Sequence, residues 1–211
     1  MKPNILITWI SAWIWNYLAE NLKNEFNIYW VSRRNPDIEN INFQSLDLTN
    51  FGKIDNYIES IKNIDFDALI FNAWVGFFDK IENMKDEEIY ETINLNVISP
   101  IIFIKKLIPY LSKKTKIVFV WSVASKKFFK FWSVYQASKF ALRGFAGCLK
   151  NEIKQSVFLI NPRFVDTKEF FKNERIELQI KWWYTETKIE SILNSIKDIL
   201  NWVERRFEID L

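Results

Sequence analysis

The sequence predicts an α/β fold, a doubly wound parallel sheet between two layers of helices: three layers (α/β/α), with residues 1–211 forming a single domain. Two observations carry that prediction. Short apolar runs of strand length alternate with amphipathic stretches of ten residues or more, the pattern of right-handed βαβ units. No repeat, low-complexity tract or Pro/Gly/Ser-rich linker divides the chain, and its length suits one domain.

The elements follow in order. Asn4–Thr8 is the first strand. Trp13–Lys23 follows as a helix, with Ile14, Leu18 and Leu22 at helical spacing. Phe26–Ser32, Ile41–Asp47 and Asp67–Asn72 are the next three strands, with a helix over Asn50–Lys62 between the last two. Asp86–Ser112 is a long helical stretch, interrupted only by Pro100 and Pro109. Lys116–Ser122 is the fifth strand, Ser133–Lys154 a helix and Val157–Asn161 the sixth strand. A helix over Thr185–Asn201 and a short strand over Arg206–Leu211 close the chain. Ser133 and Gln136 are spaced as a capping box that starts the helix just before Tyr135.

Composition narrows the function. The chain is 49% hydrophobic and 26% charged, the balance of a soluble protein. The single Cys148 excludes an intramolecular disulfide and fits a reducing compartment. A formal net charge of +3, evenly spread, is too weak to argue for nucleic acid. Without histidine, His-based triads and His-ligated zinc are excluded, and no metal site is expected. The apolar run Ile5–Ile14 is too short to span a bilayer. Lys2 is the only early positive charge and no small-residue cleavage site follows, so a cytoplasmic protein without a membrane partner is expected.

Two counts are unusual. Glycine appears 4 times, where average usage of about 7% gives roughly 15. Tryptophan appears 10 times. The tryptophans fall where glycines belong. With each Trp read as Gly, Thr8-Trp9-Ile10-Ser11-Ala12-Trp13-Ile14-Trp15 becomes T-G-I-S-A-G-I-G, and Asn72-Ala73-Trp74 becomes N-A-G. A glycine-rich turn between a first strand and first helix admits positive φ, lets backbone approach a pyrophosphate and aims a helix N-terminus at it. Trp121 precedes Ser122, and Trp132 lies just before Tyr135.

These motifs, in order over about residues 4 to 167, resemble the short-chain dehydrogenase/reductase family, whose Rossmann fold carries T-G-x-x-x-G-x-G. The sequence therefore reads as a translation in which UGA was taken as Trp where the source reads Gly, a code found in some bacterial lineages. It applies to positions 9, 13, 15, 30, 74, 121, 132, 182, 183 and 202.

The catalytic set stands apart from that reading. Tyr135-Gln136-Ala137-Ser138-Lys139 is Y-x-x-x-K, and residues four apart share a helix face. An ammonium beside the phenol is expected to favour phenolate and lower the tyrosine pKa. Ser122 lies thirteen residues before Tyr135, at a strand end, the family spacing. Asn96 matches the family's fourth catalytic position, with Asn94 a competing candidate one helical step away. Pro100 has no N–H for the Asn96 carbonyl, and in the family that carbonyl holds a water linking the lysine to solvent.

Cofactor preference turns on the end of the second strand. Ser32-Arg33-Arg34 stands where an acidic residue would favour NAD. Two guanidiniums suit a 2′-phosphate, so NADP(H) is favoured over NAD(H), against the plainer reading of a solvated basic turn. Asp47-Leu48 resembles the family's adenine contact. Asn161-Pro162-Arg163-Phe164-Val165-Asp166-Thr167 resembles its P-G-x-V-x-T segment beside the nicotinamide, bringing in Pro162, Val165 and Thr167; Arg163 departs from the pattern.

The resemblance implies an oxidoreductase acting on a small-molecule carbonyl or alcohol, working as a carbonyl reductase. Ser122 would hold the carbonyl, Tyr135 give the proton, Lys139 tune the tyrosine and bind the ribose, and Asn96 order a relay water. It also implies a homodimer or homotetramer built on Asp86–Ser112 and Ser133–Lys154. Lys168–Tyr184 would close the pocket, and Phe128, Phe129 and Phe131 add aromatic surface, pointing to an apolar or aromatic substrate. Two other classes stay open: a non-catalytic dinucleotide-binding regulator on this fold, and a tryptophan surface for carbohydrate or membrane, which requires the tryptophans on one exposed face.

Overall fold

The computed structural model describes residues 2–8, 13–163, 165 and 186–211. Within them the chain runs β1 (Asn4–Thr8), α1 (Trp13–Leu22), β2 (Asn27–Ser32), β3 (Asn42–Ser45), α2 (Phe51–Ile61) and β4 (Ala68–Phe71). It continues through α3 (Asp86–Ile93), α4 (Ser99–Leu107), β5 (Lys116–Val120), α5 (Ser133–Glu152), β6 (Ser156–Asn161), α6 (Ile189–Leu200) and β7 (Glu208–Asp210). The seven strands form one sheet in the order β3-β2-β1-β4-β5-β6-β7. Every neighbouring pair is parallel.

Helices cover both faces, which is why the central strands are continuously apolar rather than alternating. Leu6, Leu69 and Phe119 meet α2, α4 and α5 through Ile54, Phe103 and Leu142. Ile7, Ile70 and Val118 meet α1 and α6 through Leu18 and Ile196. From β1 the chain builds outward to β3, then returns to lay β4 on the other side of β1. Strand order reverses there, with Thr8 opposite Phe71, and in open α/β sheets ligands bind at the carboxyl ends beside such a switch.

Three expectations need correction. Asp86–Ser112 is not one helix: between α3 and α4 lies a π-turn, Asn94–Ile98, in which the Ser99 N–H donates to the Asn94 carbonyl five residues back. Pro100 has no N–H to offer Asn96, and widening the turn accommodates that loss. The stretch ends in a 3₁₀ turn, Ile108–Tyr110. By length and composition Asp86–Tyr110 is apolar enough to cross a membrane; here Leu95, Phe103, Ile104 and Leu107 are spent on the core. The capping box is also absent. Trp132 is the N-cap of α5 and makes no side-chain cap bond. The Gln136 side chain turns instead to the preceding loop, accepting from the Phe129 N–H at 2.7 Å and donating to the Ala124 and Lys127 carbonyls. Finally, β3 and β7 are shorter than predicted, because the ladders reach only Asn42–Ser45 and Glu208–Asp210.

The end of α6 bears on the tryptophan count. Trp202 has φ 60°, the left-handed region. Its N–H donates to the Ile199 carbonyl at 3.1 Å and the Val203 N–H to the Asp198 carbonyl at 2.8 Å. This pair of bonds is the Schellman motif, and Trp202 holds the position that glycine ordinarily fills.

Candidate active site

The predicted catalytic residues converge at the carboxyl ends of β4 and β5. Ser122 leaves β5 in extended backbone and its Oγ accepts from the Ala124 N–H at 3.1 Å, starting a short 3₁₀ turn. It also hydrogen-bonds the Tyr135 phenol, which favours the phenolate. Tyr135 and Lys139 lie one helical turn apart on α5, and both are buried.

Asn96, in the π-turn, is fully buried. Its Oδ1 accepts from the Val75 N–H at 2.8 Å, while Nδ2 donates to the Val75 carbonyl at 2.8 Å and to Ser138 Oγ at 2.9 Å. Ser138 Oγ in turn donates to the Tyr135 carbonyl at 2.6 Å. Asn96 therefore joins the loop after β4 to α5. Asn94 spends its carbonyl on the π-turn.

The expected pKa relationship is not what the structure has. Burial pushes the Tyr135 phenol up, opposed by the hydrogen bond with Ser122. Burial also pulls the Lys139 ammonium well below its ordinary value. Among the described residues Lys139 Nζ has no hydrogen-bond partner. It lies 3.5 Å from the centre of the Trp121 ring and 5.1 Å from those of Trp74 and Tyr135. Trp121 Nε1 donates to the Lys139 carbonyl at 2.7 Å. The indoles of Trp74 and Trp121 thus enclose the ammonium, replacing water with ring faces that solvate a cation less well.

Sequence reasoning missed Gly76. A Cβ there would lie 2.7 Å from both Tyr135 Cδ2 and Phe78 Cζ, so only glycine lets this loop come this close to the Tyr135 ring. Its being one of four written glycines was the available signal. Also missed was the ring packing around Tyr135, made by Trp74, Phe78 and Trp132 at centroid distances of 5.7, 5.1 and 5.5 Å.

The cofactor residues are brought together in part. Thr8 and Asn72 are buried at the ends of β1 and β4, and Ala73 and Trp74 follow. Arg33, Asp47, Leu48, Thr49 and Glu91 line one shallow groove. Arg33 meets Glu91 at 3.7 Å, a loose pair with both side chains well exposed. Arg34 is exposed. Ser32 is buried and structural: its Oγ accepts from Trp30 Nε1 at 3.1 Å and donates to the Arg34 carbonyl at 2.6 Å. Asp47 Oδ1 accepts from the Thr49 N–H and hydroxyl, and the Leu48 side chain enters the core. The Pro162 carbonyl accepts from the Val123 N–H at 3.1 Å, and Val165 packs against the core layer that α1 and α6 cover. Trp13, Ile14 and Trp15 open α1. Trp9, Ser11, Ala12, Thr167, Trp182, Trp183 and the segment 168–184 lie outside the described residues.

The donor chemistry fits a nicotinamide dinucleotide. Lys139 Nζ and Asn72 Nδ2 are both buried without a hydrogen-bond partner among the described residues, beside the strand ends where ribose and phosphate oxygens would accept. The indoles of Trp74 and Trp121 take up the adjoining room. Among the described tryptophans whose side chains are placed, Trp30, Trp121 and Trp132 are buried, Trp74 is half-buried and Trp202 is 43% exposed. A single exposed tryptophan face is therefore excluded for them. Trp30 stands apart, packed in the core like any large strand residue.

Fold and site together define a dinucleotide-binding α/β protein with a Ser-Tyr-Lys centre. The sequence profile described as short chain dehydrogenase matches residues 23–177, beginning after the tryptophan-bearing turn. The chain belongs to the short-chain dehydrogenase/reductase family. A 3-ketodihydrosphingosine reductase of Bacteroides thetaiotaomicron is 29% identical over 172 residues, covering 77% of this chain and 64% of the relative. The chain thus spans less than two thirds of that relative's length. A solved short chain dehydrogenase family protein from Francisella tularensis superposes with TM-score 0.88 at 23% identity, covering 100% of this chain and 97% of the other. ElxO, solved with NADP bound, gives TM-score 0.78 at 20% identity over 100% and 98%.

Proposed function

We propose that the protein is an NADP(H)-dependent carbonyl reductase in which Tyr135 is the general acid. The observation that carries this reading is the meeting of half-buried Ser122 with buried Tyr135 and Lys139, whose ammonium has no hydrogen-bond partner among the described residues. The reductase name of the Bacteroides relative supports the direction of reaction. Arg33 and Arg34 at the end of β2 support NADP(H), as does the NADP-bound neighbour.

The reduced nicotinamide, when bound, supplies the hydride. Ser122 Oγ donates a hydrogen bond to the carbonyl oxygen and polarises it. The Tyr135 hydroxyl gives that oxygen its proton, so a ketone or aldehyde leaves as an alcohol. Lys139 Nζ binds ribose hydroxyls and, once solvated by them, holds its charge and favours the phenolate left on Tyr135. Asn96 fixes the turn whose carbonyl, freed by Pro100, orders the water that returns a proton. Arg33 exchanges Glu91 for a 2′-phosphate, aided by Arg34. The working enzyme is a cytoplasmic homodimer or homotetramer.

This chemistry requires room that indoles at 74 and 121 occupy, so glycine at the tryptophan positions is part of the proposal. Trp202 in the left-handed region supports it independently of the active site. In the gene, those codons are then UGA while the four written glycines are GGN; UGG throughout would end this part of the account. Trp30, which the core uses, is the position where UGG is compatible with it. The functional test is Tyr135→Phe in the glycine-bearing protein. Turnover drops by a factor of about 10² to 10⁴ with NADPH binding retained. Unchanged turnover would remove Tyr135 from the acid role.

A further inference from the structure

Two carboxylates, two cations and one amide meet at the carboxyl ends of β6 and β7, drawn from four segments of the chain. Side chains alternate along a strand, so Glu208 and Asp210 share one face of β7 while Ile209 enters the core on the other. Arg143 of α5 donates to Glu208 twice, from Nε at 2.9 Å and Nη2 at 3.0 Å, the bidentate geometry of a strong pair. Lys126 Nζ donates to both Asp210 oxygens, at 2.6 and 2.8 Å, and lies 3.0 Å from Glu208 Oε1. Asn161 Nδ2, at the buried end of β6, donates to Glu208 Oε1 at 2.8 Å and to Asp210 Oδ1 at 3.0 Å.

The two cations lead back to the two halves of the site. Lys126 closes the short turn that Ser122 opens: the Ser125 and Lys126 N–H groups donate to the Ser122 and Val123 carbonyls at 3.1 and 3.0 Å, and the Ala124 N–H to Ser122 Oγ at 3.1 Å. Arg143 stands one helical turn beyond Lys139 and two beyond Tyr135, on the same face of α5. β7 therefore grips, through one cluster, both elements that carry the Ser122–Tyr135 hydrogen bond.

We propose that Lys126, Arg143, Glu208 and Asp210 are positioning residues, a clamp by which the edge strand β7 sets Ser122 against Tyr135. This rests on the proposed function. All four side chains reach solvent, and ion pairs of that kind add little to global stability. Their work is to hold two elements in register, and small displacements of reacting groups are costly in rate.

The test uses the chain with glycine at the tryptophan positions other than Trp30, with NADPH and acetophenone. Lys126→Met lowers kcat by a factor of about 10 to 10² at unchanged NADPH affinity, and Lys126→Arg, which keeps the charge, restores most of it. Amide hydrogen exchange read by NMR reports on the turn directly: Ala124, Ser125 and Lys126 exchange faster in Lys126→Met. Lys197→Met is the control, because Lys197 and Glu25 make a pair of the same 2.6 Å length and similar exposure elsewhere on the surface; it leaves kcat and these amides alone. Where Lys126→Met does not fold, Asp210→Asn cuts the cluster at its most exposed carboxylate and moves both readouts the same way. Parent-like kcat and exchange in the folded variant, or an equal loss in Lys197→Met, overturns the clamp. A parent chain that binds NADPH but never reduces the ketone removes the reductase reading, and exchange alone then decides: unchanged protection of the turn overturns the clamp as well.

Discussion

Trp202 offers a test of the glycine reading that does not depend on activity. At φ 60° a residue with a Cβ is strained by about 1–2 kcal/mol, and glycine is not. The indole offsets part of this, because Lys116 Nζ lies 4.1 Å from its ring centre, a contact worth about 0.5–1 kcal/mol at an exposed site. Trp202→Gly removes both terms and is near neutral or stabilising. Trp202→Ala removes the contact and keeps the strain. The two variants therefore differ by about 1–2 kcal/mol in favour of glycine, or about 2–8 °C in Tm for a chain of this size. Circular dichroism through thermal and urea unfolding reads the difference. Alanine as stable as glycine at 202 would refute the argument that the C-terminal turn of α6 is built for glycine.

Other perturbations follow from the geometry. Gly76→Ala puts a methyl 2.7 Å from Tyr135 and Phe78; overpacking of this kind costs about 1–3 kcal/mol, read as a lower Tm together with reduced kcat at unchanged NADPH affinity. Glu91→Gln frees Arg33 from its 3.7 Å partner and tightens NADPH severalfold without moving NADH; isothermal titration with both cofactors checks it, and equal effects on both mark the arginines as a basic turn. Glu208 is held down to about 2, first by its hydrogen bonds from Arg143 and then by Lys126 and Asn161. Because its folded pKa lies below its unfolded one, its contribution to stability is full above about pH 4.5 and fades as pH falls toward 2. Glu208→Gln flattens that part of the acid-unfolding curve, and an unaltered curve removes Glu208 from it.

The fold was legible because strand and helix periodicities differ and both faces of the sheet are covered. Every predicted strand appears, most of them a residue or more shorter at an end. The π-turn at Asn94–Ile98 was half legible: Pro100 announced a lost hydrogen bond, while the choice of a wider turn depends on Asn96 meeting Val75 and Ser138 across the fold. Ser122, Tyr135 and Lys139 were legible by spacing. Their protonation was not, because it is set by burial among Trp74 and Trp121, which come from distant parts of the chain. Gln136 shows the same limit. Its local spacing fits a cap, yet carbonyls of the preceding loop outcompete the helix N-terminus for its amide.

The central claim is that the Ser122-Tyr135-Lys139 site is a reductase site once glycine replaces the indoles around it. The most direct measurement is NADPH oxidation at 340 nm by two versions of the 211-residue chain, one as written and one with glycine at the tryptophan positions other than Trp30, which the core uses, each with acetophenone and with titrated NADPH. The account predicts saturable NADPH binding and turnover in the glycine-bearing protein, and little of either in the tryptophan form. NADPH binding and turnover that are equal in the two proteins would contradict it.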